Sequence, residues 1–304
     1  MSPELVKECQ RVRVAVRNIG LVIRITKELP YGVQLKIFKQ KNEIPLNIYY
    51  SKKRGVSTVI GGTKDNPLRA MVSTLFKNKM NDQKWEKWVG TDESGKGDFF
   101  GPLVVAGFAC DKKISEQLNE LGVKDSKLLS DSSVKIIAEK LIQNFPNKIK
   151  TIQLNPPKYN QLYRQFTERG KKLNEMLAWM HTRAVVDMKQ VEEFDGVVID
   201  KFTSRKVIKG SLAQFRDIDF ILKIRAESDI AVAAASILAR AGFLAEMDKL
   251  STTYKMRFPK GAGRAVERFA IKFVQSFGGS QMQQVAKLHF KTYRKVVESG
   301  YEKR

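Results

Sequence analysis

Cysteine and histidine are almost absent from this 304-residue chain, which holds two of each: Cys9, Cys110, His181 and His289. Two cysteines cannot staple a small secreted scaffold, so a reducing cytoplasm is the expected setting. Two histidines cannot furnish a His-rich zinc centre. Long apolar runs are missing as well. None approaches the ~18 residues that a membrane span requires, and the first residues, MSPELVKECQ, lack the apolar core of a signal peptide. No membrane partner is therefore expected. Acidic residues are in short supply, 32 against 55 Lys and Arg, for a net charge of +23. With 42% hydrophobic residues the chain can build a sizeable core, and its length suits one large domain or two ordinary ones. The surplus charge points to a polyanion, most simply a nucleic acid.

That surplus is unevenly spread. Residues 1–88 carry 18 Lys and Arg against 7 Asp and Glu, and residues 251–304 carry 12 against 3. The middle, 89–250, carries 25 against 22 and is close to neutral. Solvated charged faces account for part of this. The layout is also the one expected of a near-neutral catalytic body flanked by surfaces that grip phosphates.

The stretch KNKMNDQKWEKW (77–88) is polar, lacks a clear period and reads as a linker. Before it, alternation predicts strands at 34–38, 44–50 and 56–60, punctuated by turn residues, and helical spacing predicts a helix over 66–76. A further helix is expected in the first thirty residues. The N-terminal domain, 1–76, is thus a small α+β unit whose sheet carries Lys36, Lys39, Lys52, Lys53 and Arg54. The second domain, 89–304, reads differently. Strands are expected at 88–91, 102–110, 148–154, 196–200 and 220–224, with helices over 134–145, 173–191 and 228–250 and a helical C-terminal region. This predicts an α/β fold with a mixed sheet covered by helices.

The richest stretch is VGTDESGKGDFFGPLVVAG, 89–107. Asp92 and Glu93 end an apolar strand and run straight into a Gly-Lys-Gly turn. Neighbours on a strand point to opposite faces, so both carboxylates are expected to reach one site only if the strand ends between them. The glycines permit the turn and leave backbone N–H groups open to a phosphate or sugar. A dinucleotide fingerprint is excluded by the glycine spacing and by the strand that follows, and a P-loop by the lack of Gly-Lys-Ser/Thr. Asp200 ends the apolar run GVVID, and Glu227 leads into the Ala-rich helix. Singly, these read as a strand terminator and a helix N-terminal carboxylate. Together, four carboxylates with hardly any histidine suit hard divalent cations, and in a basic protein the matching substrate is a phosphodiester.

The segments DESGKGDFFGPLVVAG, KDSKLLS, VVID, RAESDIAVAAASILAR and PKGAG…AKLHF, in this order, resemble the bacterial type 3 ribonucleases H (ribonuclease HIII), across most of 89–304. The resemblance implies a ribonuclease H-like fold. It also implies cleavage of the RNA strand of RNA–DNA hybrids by two-metal hydrolysis, leaving 5′-phosphate and 3′-hydroxyl ends, with Mg²⁺ or Mn²⁺ as cofactor. Carried over residue by residue, Asp92 and Glu93 match the first two acidic ligands and Asp200 the third. Glu227 matches the fourth, with Asp229 the competing choice. Ser94, Gly95, Lys96 and Gly97 match the loop that contacts the hybrid, and Lys127 is a candidate phosphate contact. Type 2 enzymes carry Arg where Lys96 stands, which favours the type 3 branch. The basic N-terminal domain resembles that family's extension, which folds like half of a TATA-box-binding protein and helps hold substrate. No obligate protein partner is implied. The competing readings are a type 2 enzyme acting on single ribonucleotides in duplex DNA and a non-catalytic nucleic-acid-binding protein.

Overall fold

Alternation in the N-terminal strands produces a sheet with one greasy face. In the second strand Val33, Leu35 and Ile37 are buried, while Gln34, Lys36 and Phe38 face the other way. The computed structural model describes residues 1–40, 42–51, 55–63, 66–77, 85–211, 218–223 and 226–298. The chain divides into two compact units, Met1–Asp82 and Gln83–Arg304.

The first unit runs α1 (Pro3–Asn18), β1 (Val22–Leu29), β2 (Gly32–Lys39), β3 (Asn42–Ser51), β4 (Gly55–Ile60) and α2 (Pro67–Lys77). Its four strands form an antiparallel sheet in sequence order. Ser2 caps α1 by accepting from the Leu5 N–H at 3.2 Å, and Pro3 opens the first turn. Leu5, Cys9, Val12 and Val16 recur at helical spacing and pack with Leu68 and Val72 of α2 on the apolar face of the sheet. The three strands and both helices expected there are present, β2, β3 and β4 each a residue or more longer than its pattern suggested, and β1 is an additional strand. Lys52, Lys53 and Arg54 lie outside the described residues.

The second unit runs β5 (Lys87–Ser94), β6 (Leu103–Asp111), α3 (Lys112–Glu120), α4 (Asp131–Asn144), β7 (Ile149–Leu154), α5 (Pro156–Glu168), α6 (Leu173–Lys189), β8 (Gly196–Asp200), α7 (Arg205–Ser211), β9 (Asp219–Lys223) and α8 (Ile230–Thr253). It ends with α9 (Arg264–Phe277), α10 (Met282–Val285) and α11 (Lys291–Glu298). The five strands lie in the order β7-β6-β5-β8-β9. β5 pairs antiparallel with β6 and parallel with β8, and β8 pairs parallel with β9, so the sheet is mixed as expected. β8 is buried except at Asp200, which explains why GVVID reads as one apolar run rather than an alternation.

The two long helices cover opposite faces of this sheet. Gly107 and Thr91 lie against Ala184 of α6, while Gly90 lies against Ala231 and Val232 of α8. By length and composition α8 could cross a membrane, but 72% of its apolar stretch is buried inside the unit. Every residue from Ile230 to Ala239 is buried, which marks a core helix. Its small residues are what let it come so close, since a Cβ on Gly90 would meet the α8 backbone.

Gly90→Ala therefore forces α8 off β5. Overpacking of this kind costs about 1–3 kcal/mol, which is a fall of about 2–4 °C in Tm per kcal/mol for a domain of this size. Thermal denaturation by circular dichroism measures it, and an unchanged Tm would mean that α8 does not rest on β5.

Candidate active site

Three parallel strands deliver their carboxyl ends to one edge of the sheet. β5 brings Asp92 and Glu93, β8 brings Asp200 and β9 leads into the 3₁₀ turn Ala226–Ser228 that carries Glu227. Crevices beyond strand carboxyl ends, where neighbouring connections diverge, are where open α/β sheets bind ligands. The divergence here is at β5. Its pairing with β6 continues to Ser94, opposite Val104, but its pairing with β8 stops at Thr91, opposite Ile199.

This corrects the expectation that the strand must end between Asp92 and Glu93. The strand runs through both, and the two carboxylates leave opposite faces as strand geometry requires. Asp92 shares the face of Gly90 and takes a hydrogen bond from Ser236 of α8. Glu93 shares the face of Thr91 and meets His181 of α6, whose Nε2 stands 3.2 Å from Glu93 Oε2. They serve one site because both sit at the open end of the sheet.

The acidic cluster carries heavy electrostatic stress. Burial, and then the charge of Glu93, push Asp92 up to about 8, with Asp200 adding to the rise. Burial also works against Glu93, but His181 and then Lys96 outweigh it and hold its carboxyl below the usual range. Lys96 Nζ lies 3.7 Å from Glu93 Oε1, and Lys127 Nζ lies 3.7 Å from Glu227 Oε1. Partial burial opposes the charge on Lys127, yet Glu227, Asp125, Asp92 and Asp200 together raise its pKa. Two lysine ammonium groups thus offset the negative charge at this sheet edge.

Asp200 Oδ1 accepts from the Ala226 N–H at 3.0 Å, which latches the Glu227 turn to the end of β8. Asp229, the competing choice, is 2% exposed and caps α8, accepting from the N–H groups of Ala231 and Val232 and from Trp88 Nε1 at 3.1 Å. Its carboxylate is committed to the fold. Glu227 is the one that faces Lys127.

The predicted contact residues share the cleft. Ser94, Gly95, Lys96, Gly97 and Lys127 line the same opening, about 350 Å³, as Asp92, Glu93 and Asp200. A larger groove of about 590 Å³ beside α6 and α7 holds none of the four carboxylates. Gly95 has φ +89°, and a Cβ there would meet the Pro102 carbonyl, whereas Gly97 faces open space. The Ser126 hydroxyl lies 2.6 Å from that of Ser236, and Arg240 bonds both the Ser126 carbonyl and Asp131, fixing the loop that presents Lys127.

The PKGAG and AKLHF segments hold the far side of the glycine loop. Gly261 N–H donates to Asp98 Oδ1 at 2.6 Å, and Phe99 N–H donates to the Gly261 carbonyl at 2.8 Å. Lys287, 0% exposed, donates from Nζ to the carbonyls of Asp98 at 2.8 Å and Gly101 at 2.7 Å. Burial pushes its pKa down to about 7. His289 stacks on Tyr163 with ring centroids 4.5 Å apart, which is a packing role. His181 and Ser236 were not singled out by sequence reasoning. The only available signal was a histidine, and likewise a serine, set inside the apolar run of a helix.

Among the described residues no group of three or more Asp, Glu, His and Cys side chains is gathered closely enough to hold a metal ion. The donor set nevertheless fits hard divalent cations. It is all carboxylate oxygen, it includes a half-buried Asp92 whose charge its neighbours oppose, and it is attended by lysines that occupy the place of positive charge.

A mixed sheet with acidic side chains at the ends of its parallel strands defines a ribonuclease H-like nuclease. The ribonuclease HII family matches residues 89–293. The chain is 40% identical over 215 residues to ribonuclease HIII of Chlamydia muridarum, covering 69% of each. It is 37% identical over 205 residues to ribonuclease HIII of Protochlamydia amoebophila, covering 67% of this chain and 66% of that one. Its structure is similar to Bst-RNase HIII, solved in complex with Mn²⁺, with a TM-score of 0.68 at 27% identity over 97% of both chains. The chain belongs to the ribonuclease HII family, in its ribonuclease HIII branch, and is a ribonuclease H enzyme.

The pKa of Asp92 is higher in the fold than its unfolded value of ~3.9. Stability from this group is thus present below ~pH 4 and lost as pH rises toward 8. In EDTA at pH 8, Asp92→Asn raises Tm, by about 2–4 °C for each kcal/mol of relief, and the gain fades as pH falls toward 4. Scanning calorimetry across that range checks it, and a variant less stable than wild type at pH 8 would contradict it.

Proposed function

We propose that this chain is an endoribonuclease that hydrolyses the RNA strand of RNA–DNA hybrids, using two divalent ions and leaving 5′-phosphate and 3′-hydroxyl ends. The observation that carries the reading is the placement of Asp92, Glu93 and Asp200 at parallel strand ends, with Glu227 on the turn beyond β9, around a carboxylate whose charge burial and its neighbours oppose. Asp92, Glu93, Asp200 and Glu227 would together hold Mg²⁺ or Mn²⁺. The Mn²⁺ complex of Bst-RNase HIII supports the choice of metal class. Bound there, the ions lower the pKa of the attacking water and steady the departing 3′-oxygen.

The remaining roles fall to the protein. Backbone N–H groups of the Gly95–Gly97 turn read 2′-hydroxyls from the minor groove of the hybrid, which is how RNA is told from DNA. Lys127 and Lys96 meet phosphate oxygens. The N-terminal unit, likened to half of a TATA-box-binding protein, grips the duplex, and its sheet face turned from the helices carries Arg24, Gln34, Lys36 and Asn47. Lys36 there is paired with Glu43 at 2.5 Å, which tempers its share. The two free, buried thiols suit a reducing cytoplasm.

Asp92→Asn or Asp200→Asn is expected to lower cleavage of a labelled hybrid in Mg²⁺ by at least ~10³-fold, as loss of groups acting in the transition state does, while metal-free hybrid affinity stays within about threefold. Residual turnover above a tenth of wild type would overturn the site. A duplex with one embedded ribonucleotide, cut faster than the continuous hybrid, would favour type 2 specificity instead. Deletion of residues 1–84 should weaken hybrid binding and flatten its dependence on log salt, because fewer counterions are released. An unchanged slope would remove the N-terminal unit from the binding surface.

A further inference from the structure

We propose that His181 is a positioning residue for the metal site, one that fixes the carboxylate of Glu93 before any cation arrives. The inference rests on Glu93 being a metal ligand, as read above. His181 is 0% exposed in the middle of α6, and both of its ring nitrogens are committed to β5. Nδ1 stands 2.8 Å from Thr91 Oγ1, and Nε2 stands 3.2 Å from Glu93 Oε2. Thr91 and Glu93 are two apart on one strand and so share a face. The imidazole spans them and fixes where Glu93 points.

The chemistry of the contact has one direction. An ionised carboxylate only accepts, so Nε2 carries the hydrogen, and in the neutral ring Nδ1 accepts from the Thr91 hydroxyl. Thr91 therefore orients the ring, and the ring orients Glu93. The third restraint is Phe202, two residues beyond Asp200, whose ring stacks on His181 with centroids 4.8 Å apart and planes 20° apart. Lys96 Nζ lies 5.3 Å from the centroid of the same Phe202 ring and 3.7 Å from Glu93 Oε1. The two carboxylate oxygens are thus divided: Oε2 belongs to the helix, while Oε1 stands beside a cleft-lining ammonium and is the oxygen left for a cation. Partners of this kind, hydrogen-bonded behind a ligand, typically hold 10–100-fold in metal affinity.

Packing alone predicts something different. A histidine kept for its volume could become leucine with little effect on the cleft. Here leucine leaves Glu93 buried without its donor, free to swing toward Lys96 or water. Glutamine, whose amide N–H can take the place of Nε2–H, preserves the restraint.

The test measures Mn²⁺ binding to the full-length, substrate-free protein by electron paramagnetic resonance of the free ion. Glu93→Gln serves as the control for the ligand assignment. His181→Leu should raise the Mn²⁺ dissociation constant about tenfold or more, and His181→Gln should recover it to within about threefold of wild type. Metal-free hybrid affinity, read by fluorescence anisotropy, should not move in either variant. Thr91→Val keeps the shape of the side chain but removes the hydroxyl that orients the ring, and it should shift Mn²⁺ binding in the same direction. It decides the matter if His181→Leu fails to fold. Folded His181→Leu or Thr91→Val protein that binds Mn²⁺ within about twofold of wild type, beside a Glu93→Gln variant that binds poorly, overturns the positioning role alone. Normal binding by Glu93→Gln overturns the ligand reading on which it rests.

Discussion

The charges of Glu93 and Asp200 bear on Asp92 at the edge of a sheet, and the rest of the catalytic unit is organised around holding these carboxylates there. The repulsion is visible in Asp92, which burial and the neighbouring acids push up to about 8. No single contact offsets it. Parallel pairing of β5 with β8 and of β8 with β9 fixes the strand ends in register. The hydrogen bond from Ala226 N–H to Asp200 closes the turn beyond β9, and Ser236 reaches Asp92 from α8. Backbone geometry supplies the proximity that the side chains alone would refuse.

The parts of the chain distant in sequence act as braces for this edge. α8 can lie on Gly90 because its first turns are built from alanine, valine and isoleucine, and that close approach is what brings Ser236 and Arg240 to the cleft. The C-terminal PKGAG and AKLHF segments touch none of the four carboxylates. Their backbone, Gly261 above all, and the Lys287 ammonium instead clamp residues 98–101, so the glycine loop leaves β5 along one fixed path. Lys287 is an expensive device for the task, a buried cation satisfied by carbonyl dipoles rather than by an acid, and its lowered pKa records the strain.

Much of this could be read in the sequence, and the failures have physical causes. GVVID marks β8 residue for residue, because a strand buried on both faces leaves a continuous apolar run that stops at its first exposed position. β5 was read too short, since Asp92, Glu93 and Ser94 are poor strand formers kept extended by β6. With the strand running through Ser94, the two carboxylates reach one site from opposite faces rather than by the strand ending between them. Glu227 and Asp229 could not be separated by spacing, because both precede the same helix. Only the contacts distinguish a cap buried under Trp88 from a side chain beside Lys127. His181 escaped notice for a related reason. Helical periodicity places it on the inner face of α6 but does not say that the strand beneath presents an acid.

The charge balance of the whole chain takes its meaning from the same edge. A net charge of +23 would attract any polyanion and discriminate among none. The cleft does the opposite, since its three acids, Asp92, Glu93 and Asp200, would repel a phosphodiester if they stood alone. Lys96 and Lys127 reconcile the two, each held 3.7 Å from a carboxylate oxygen while also lining the opening through which a backbone phosphate would come. In the proposed reaction Glu93 and Glu227 would share in holding the cations, whose charge would stand where the two ammonium groups stand now and leave Lys96 and Lys127 for phosphate. On that reading the basic excess would bring a duplex near, and the acidic edge with its two lysines would decide whether it settles in the site.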